Sequence, residues 1–286
     1  MKPVKKSPLD EYLQKHPFLE ETAQLHLAME TILKNEITPV SFPAVGEIIK
    51  LVKDGVSLLQ QESLQVQVAR AAASGLADWL LALKGMPAPE PMLSAVRDWH
   101  VRTEVAAVVD REKFFFSLLR QDEKEIAQYA AEQQVNAAVV RILGWQIIDL
   151  LIPAAVKDVS LWQAAGWMRN YCPVCGRQPV MAQLRKEQEG RARVLTCDGC
   201  HTIWPYVRIG CVYCGNEDLK QMHVLEPEGE ADMRLDVCDL CHNYLKTYVA
   251  EGAEEVYLQD WATLHLDFLG EEKNLRKKGS VILADS

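Results

Sequence analysis

The 286-residue sequence has no long uninterrupted apolar run, no excess of basic charge and no cysteine left outside a CxxC pair. Its most apolar stretch, residues 137–156, contains Arg141, Asp149 and Pro153, which fits a buried helix better than a membrane span. No membrane insertion is expected. The opening MKPVKKSP carries charge with no apolar stretch behind it, so no signal peptide is read and a cytoplasmic location is expected. Glycine (15) and proline (13) are too few for a low-complexity chain, and 49% apolar residues are enough to build a core. Basic side chains are outnumbered 31 to 40 by acidic ones. The imbalance is larger in residues 171–286, with 13 against 19, than in residues 1–170, with 18 against 21. Phosphate contacts need a basic face, so no nucleic-acid partner is expected, and a nucleic-acid-binding zinc ribbon stands as the alternative reading.

What the first 160 residues do contain is helical periodicity. Ser7, Pro8 and Asp10 form a helix start. Phe18, Leu25, Met29, Ile32 and Leu33 recur at helical spacing, and Val45 to Leu59 reads as a further amphipathic helix. Val68 to Leu83, Met92 to Val109, Glu112 to Leu119, Asp122 to Gln133 and Val135 to Val156 continue the pattern. Phe114, Phe115 and Phe116 are assigned to packing. His16, His26 and His100 lie in separate segments, each read as a partly buried polar residue rather than a ligand. No acid, base and nucleophile come together, so no catalytic residue is assigned and the chain is not read as an enzyme.

Near residue 170 the pattern changes to short strands. Val180 to Arg185 and Arg191 to Thr196 flank a polar turn, as in a hairpin, and Ile203–Ile209, Leu219–Leu225, Arg234–Val237 and Tyr244–Val249 follow. Leu258 to Glu272 returns to helix. The fold expected is α+β: an all-helical domain (1–165), a first metal ribbon (166–209), and a second ribbon with a closing helix (210–286). The small β modules are of the rubredoxin or zinc-ribbon kind.

All eight cysteines fall in four CxxC pairs: Cys172/Cys175, Cys197/Cys200, Cys211/Cys214 and Cys238/Cys241. A disulfide within so short a loop would restrict the unfolded chain little, and redox CxxC motifs normally come singly. Two residues between cysteines let both sulfurs face one ion, and a hairpin brings up a second such turn to complete a tetrahedron. The first knuckle of each unit ends in Gly176 or Gly215, the second in His201 or His242, so the unit repeats as CxxCG then CxxCH. That alternation favours sequential pairing over a cross-braced one. All eight cysteines are therefore read as ligands of two ions, one per four-cysteine site, either zinc or rubredoxin-like iron. Each ion would supply folding free energy on the order of 10 kcal/mol. Each closed site would carry a net charge of about −2. The CxxCH pairs also match haem c attachment, but that reading leaves four cysteines unused.

These residues resemble the formate dehydrogenase accessory protein FdhE family. The likeness lies in YCPVCGRQPV (171–180), CDGCHTIW (197–204), Val207 and Arg208, CVYCGN (211–216), CDLCHNYLKT (238–247) and DWATLHLD (260–267). The tail KKGSVIL (277–283) departs from the Asn-Pro-Phe ending of the family. The resemblance implies a cytoplasmic maturation factor that binds the immature catalytic subunit of a molybdenum- or tungsten-dependent formate dehydrogenase, often before twin-arginine export. It leaves a homodimer, and a rubredoxin-like redox role, open. Trp204, Arg208 and Tyr244 lie beside the knuckles and are candidates for the client surface, with ordinary packing as the alternative.

Overall fold

The computed structural model describes residues 7–188 and 190–283. Helix α1 (Pro8–Lys15) begins with a reciprocal cap: Ser7 Oγ accepts from the Asp10 amide, and the Asp10 carboxylate accepts from the Ser7 amide, both at 3.1 Å. Helices α2 (Glu20–Glu36) and α3 (Val45–Leu51) follow. The single helix expected over residues 45–59 is broken at Asp54-Gly55, where Gly55 takes φ 81°. The break turns Leu58 and Leu59 toward the first cysteine knuckle, and their amides donate to the carbonyls of Pro173 (2.9 Å) and Val174 (2.8 Å).

Helix α4 (Glu62–Leu83) is the central post, buried along Leu64, Val68, Ala72, Leu76, Leu80 and Leu83. Around it pack α2, α5 (Glu90–Val105), α6 (Val108–Arg120) and α8 (Ala137–Leu151), with α7 (Glu123–Glu132) bridging α6 and α8. Extended backbone at Ala106 separates α5 from α6, so the break expected after Val109 falls about one turn earlier. Gly144 lets α8 approach α6, since a Cβ there would stand 2.4 Å from Leu118 Cδ1. Phe114 and Phe115 are buried; Phe114 stacks on Tyr129 at 4.2 Å, and Tyr129 accepts a hydrogen bond from Trp99 Nε1 at 3.1 Å. Pro153 ends the long apolar run. After it come α9 (Ala154–Lys157) and α10 (Val159–Ala164), the latter capped by Asp158.

The strands are β1 (Met181–Glu187), β2 (Gly190–Thr196), β3 (Ile203–Tyr206), β4 (Met222–Leu225), β5 (Met233–Cys238) and β6 (Tyr244–Tyr248). The ribbons are not independent beads. One six-stranded sheet runs in the order β3-β2-β1-β6-β5-β4, antiparallel throughout except where β1 lies parallel to β6, pairing Ala182 with Thr247. That single parallel seam joins the two ribbons, and α11 (Glu254–Tyr257) and α12 (Leu264–Glu272) cover the second one.

Among the described residues two apolar cores result. The larger includes most of the helical half together with Cys172, Cys175, Cys197, Cys200, Leu195 and Trp204. The smaller joins Val180, Leu235, Val237, Tyr248, Tyr257 and Leu266 to Tyr12 and Leu19 from the start of the chain. Helix α1 thus packs on the second ribbon: Tyr12 OH donates to the Ala262 carbonyl at 2.6 Å and its ring meets Tyr257 edge-on at 4.9 Å. Ser280 and Val281 are buried as well. The Val281 amide donates to Asp198, and Ser280 Oγ donates to Asp260. Among the described residues no helix is long and apolar enough to cross a membrane.

Candidate metal centres

Each knuckle is built by the same backbone path. The amide after the second cysteine donates to the carbonyl of the first: Gly176 to Cys172 (2.9 Å), His201 to Cys197 (3.0 Å), Gly215 to Cys211 (3.0 Å) and His242 to Cys238 (2.8 Å). The first cysteine's amide then donates one residue further on, to Arg177, Thr202, Asn216 or Asn243. Closing that turn requires a left-handed residue, and Gly176 (φ 80°), His201 (50°), Gly215 (72°) and His242 (54°) all supply it. The Gly/His alternation in the sequence is this one position seen four times.

The hairpins bring the knuckles together in sequence. Cys172, Cys175, Cys197 and Cys200 gather their sulfurs at one point, and Cys211, Cys214, Cys238 and Cys241 at another. In the first cluster Cys172 and Cys200 are 3.5 Å apart and Cys175 and Cys197 3.4 Å; in the second, Cys211–Cys241 and Cys214–Cys238 are both 3.7 Å. Four sulfurs about 2.3 Å from a tetrahedral ion would be roughly 3.8 Å apart, so both donor sets fit an ion bound by four cysteines. All eight are free thiols, none joined in a disulfide. Burial, reinforced by the neighbouring thiols, pushes Cys175 well above its ordinary pKa, so without a cation the first cluster resists becoming four thiolates.

The clusters differ in setting. The first is fully buried where the helical half meets the sheet. Ser57 Oγ donates to the Cys172 carbonyl at 2.8 Å, Thr202 Oγ1 lies 3.1 Å from the Cys200 sulfur, and Gly199 backs onto Trp145. The Arg177 guanidinium sits 5.1 Å over the Trp145 ring and donates to the Ser280 carbonyl. His201 Nδ1 is 3.3 Å from Asp149, which Lys157 also pairs at 2.7 Å. Burial alone would raise the Asp149 carboxyl, but His201 and Lys157 outweigh it and hold it at about 2. The second cluster lies at the surface, with Cys214 exposed and Cys241 half-buried. There burial pushes up on Cys238, but the amides of Cys241 and Leu240 and the Asn216 side chain bring it down to about 7. A cavity of about 210 Å³ opens beside Cys211 and Cys238, and exposed Ile209, Leu219 and Val224 border it, with exposed Val207 and Leu240 flanking the knuckles.

Two of the three surface candidates prove to be core. Trp204 is fully buried, its Nε1 donating to the Arg169 carbonyl at 2.9 Å, and Tyr244 is buried with its hydroxyl donating to Asp267 at 2.8 Å. Trp204 is the buried residue of β3, and β6 is buried along its whole length; of the three candidates only Arg208, beyond the end of β3, is exposed. His242 is exposed, whereas His201 is tied to Asp149.

Fold and clusters together define an α+β protein with a helical half and two four-cysteine ribbons fused in one sheet. A family model for the central domain of FdhE matches residues 171–208, and one for its C-terminal domain matches residues 209–283. Residues 171–283 therefore carry the central and C-terminal domains of the FdhE family. It is 30% identical over 162 residues to a protein from Aquifex aeolicus named as an FdhE homologue, covering 54% of this chain and 57% of that one. It is 33% identical over 181 residues to the homologue so named from Pseudomonas aeruginosa, covering 54% and 58%. The matches thus span little more than half the length of these curated relatives. The crystal structure of the FdhE protein from Pseudomonas aeruginosa superposes over 97% of this chain and 94% of that one, with a TM-score of 0.62 at 21% identity, and so shares the fold.

Proposed function

We propose that this protein is a cytoplasmic assembly factor, without turnover of its own, that binds the immature catalytic subunit of a formate dehydrogenase. Each four-cysteine cluster holds one ion, iron or zinc, through Cys172, Cys175, Cys197 and Cys200 or through Cys211, Cys214, Cys238 and Cys241. The observation that carries the reading is the asymmetry between the clusters. The first ties the helical half to the sheet. The second sits at the surface among exposed Val207, Ile209, Leu219, Val224 and Leu240, an apolar patch of the kind that marks a protein-binding face. A client not yet closed around its cofactor still exposes apolar segments that such a patch would cover. The match of residues 171–283 to the FdhE domains supports formate dehydrogenase as the client class.

The deciding experiment is a pull-down with tagged protein against the catalytic subunit in cofactor-free and mature forms. Preferential capture of the cofactor-free form is expected; equal capture of both would overturn the reading. The exposure of Cys214 also favours a redox-capable second cluster. A chromophore that bleaches reversibly on reduction in anaerobically prepared protein supports that role, and a colourless zinc protein with full client binding removes it.

A further inference from the structure

Away from both cysteine clusters, three donors from distant parts of the chain meet at one point. His16 follows helix α1, Glu230 lies in the β4–β5 connection, and His265 is in the first turn of α12. His16 Nε2 stands 3.1 Å from Glu230 Oε1 and His265 Nε2 stands 3.0 Å from the same oxygen. One ligand atom from each lies within 4.8 Å of the other two. The imidazoles stack with centroids 4.8 Å apart, held between Tyr12, 4.3 Å from the His16 ring, and Phe18, edge-on to both. Glu230 is only 8% exposed, and among the described residues it has no Lys or Arg partner. A buried carboxylate without a fixed cation is costly, and what faces this one is a pair of imidazole nitrogens.

We propose that His16, Glu230 and His265 form a third metal site, taking a first-row divalent cation such as zinc through two imidazoles and one carboxylate. The set is borderline in softness, unlike the all-sulfur clusters, and matches the His/carboxylate sites that bind such ions. Ligands about 2.0–2.1 Å from one ion lie roughly 2.9–3.4 Å apart, the range in which both nitrogen–oxygen separations fall. A cleft lined by Lys15, Phe18, Glu226, Glu228 and Lys273 opens beside the cluster, leaving room for water in the remaining coordination position. Bound there, the ion staples the first helix of the chain to the loop of the second ribbon and to the closing helix.

The test starts from full-length protein with both four-cysteine clusters filled, to which cobalt(II) or zinc is added. Total metal is expected to saturate at three ions per chain, and the third cobalt ion should show ligand-field bands without a sulfur charge-transfer band. His16→Ala and His265→Ala should each stop at two ions, with the far-UV circular dichroism unchanged. Glu230→Gln should weaken the third site roughly 100-fold or more. Should the alanine variants lose structure, His16→Gln and His265→Gln give the same readout with less loss of packing. Saturation at two ions, or a third ion that all variants retain, overturns the proposal and leaves an imidazole–carboxylate hydrogen-bond cluster only.

Discussion

Gly176 and His201 occupy equivalent places in facing knuckles of the first cluster: each follows the second cysteine, each has positive φ (80° and 50°), and each returns its amide to the first cysteine's carbonyl. Glycine meets that requirement without steric cost, whereas a histidine there is strained. His201 is compensated by Asp149; exposed His242, at φ 54°, has no such ion pair among the described residues. His242→Gly should therefore raise stability by about 0.5 kcal/mol, because relief of the left-handed strain exceeds the chain entropy that glycine adds to the unfolded state. His201→Gly should lower it by roughly 1–3 kcal/mol, through loss of a partner to buried Asp149. Urea titrations at fixed metal occupancy measure both, and shifts of the same sign would refute the distinction.

The two clusters should release metal at different rates. Opening the first means parting the helical half from the sheet, whereas Cys214 already meets solvent. A chromogenic chelator should therefore remove metal in two phases of equal amplitude. The fast phase should disappear in Cys214→Ser protein, whose second site is emptied during purification. Cys172→Ser should instead lose helical signal and solubility, since that cluster belongs to the main core. Single-phase release of both ions would contradict the assigned asymmetry.

Much of this was legible from spacing alone. Four CxxC turns, the β1–β2 hairpin and the long apolar helices are local features, set by residues within a turn or a heptad of one another. The strained position after each knuckle was visible too, as a Gly/His alternation. What escaped was long-range. The Ala182–Thr247 seam that fuses the ribbons pairs residues far apart in sequence, and no periodicity encodes it. Nor does any local signal send Tyr12 across to Tyr257, or bring His16 to Glu230 and stack it on His265. The break at Gly55 answers to the carbonyls of Pro173 and Val174, far along the chain. Trp204 and Tyr244 are covered because β3 packs on α10 and β6 lies inside the sheet between β1 and β5, placements that composition does not encode.

A buried ion network under the closing helix makes stability dependent on pH. Lys246, 1% exposed, pairs with Asp260 at 2.6 Å and Asp267 at 3.2 Å, and Lys277 pairs with Asp260 at 2.8 Å. Burial by itself would raise the Asp260 carboxyl, but the two ammonium groups overcome this and hold it far below the ordinary carboxylate range. A depressed folded-state pKa contributes stability above the unfolded value, about 3.9, and loses it as pH falls toward the folded value. Asp260→Asn should thus cost roughly 3–5 kcal/mol at pH 7, by leaving Lys246 undercompensated. The gap from wild type should narrow only below about pH 4. Parallel denaturation curves from pH 7 to 3 test the sign, and comparing the two proteins cancels the acid loss of cluster metal that they share. A gap that widens on acidification would show that the network does not stabilise the fold in this way.

The client face can be separated from the fold because its apolar side chains contribute little to either core. Ile209, Leu219 and Leu240 are each more than half exposed, and surface substitutions of this kind normally shift stability by no more than about 0.5 kcal/mol. The triple variant Ile209→Asp, Leu219→Ser, Leu240→Asp should therefore keep both cluster metals and its melting temperature. It should nevertheless lose most capture of the cofactor-free catalytic subunit, since burying a carboxylate in an apolar contact costs more than the contact returns. A control on the helical half, Val105→Asp on α5 and Leu81→Ser on α4, removes exposed apolar groups outside both ribbons and should leave capture intact. If the control loses the client and the ribbon variant retains it, recognition belongs to the helices, and the exposed cluster needs another explanation.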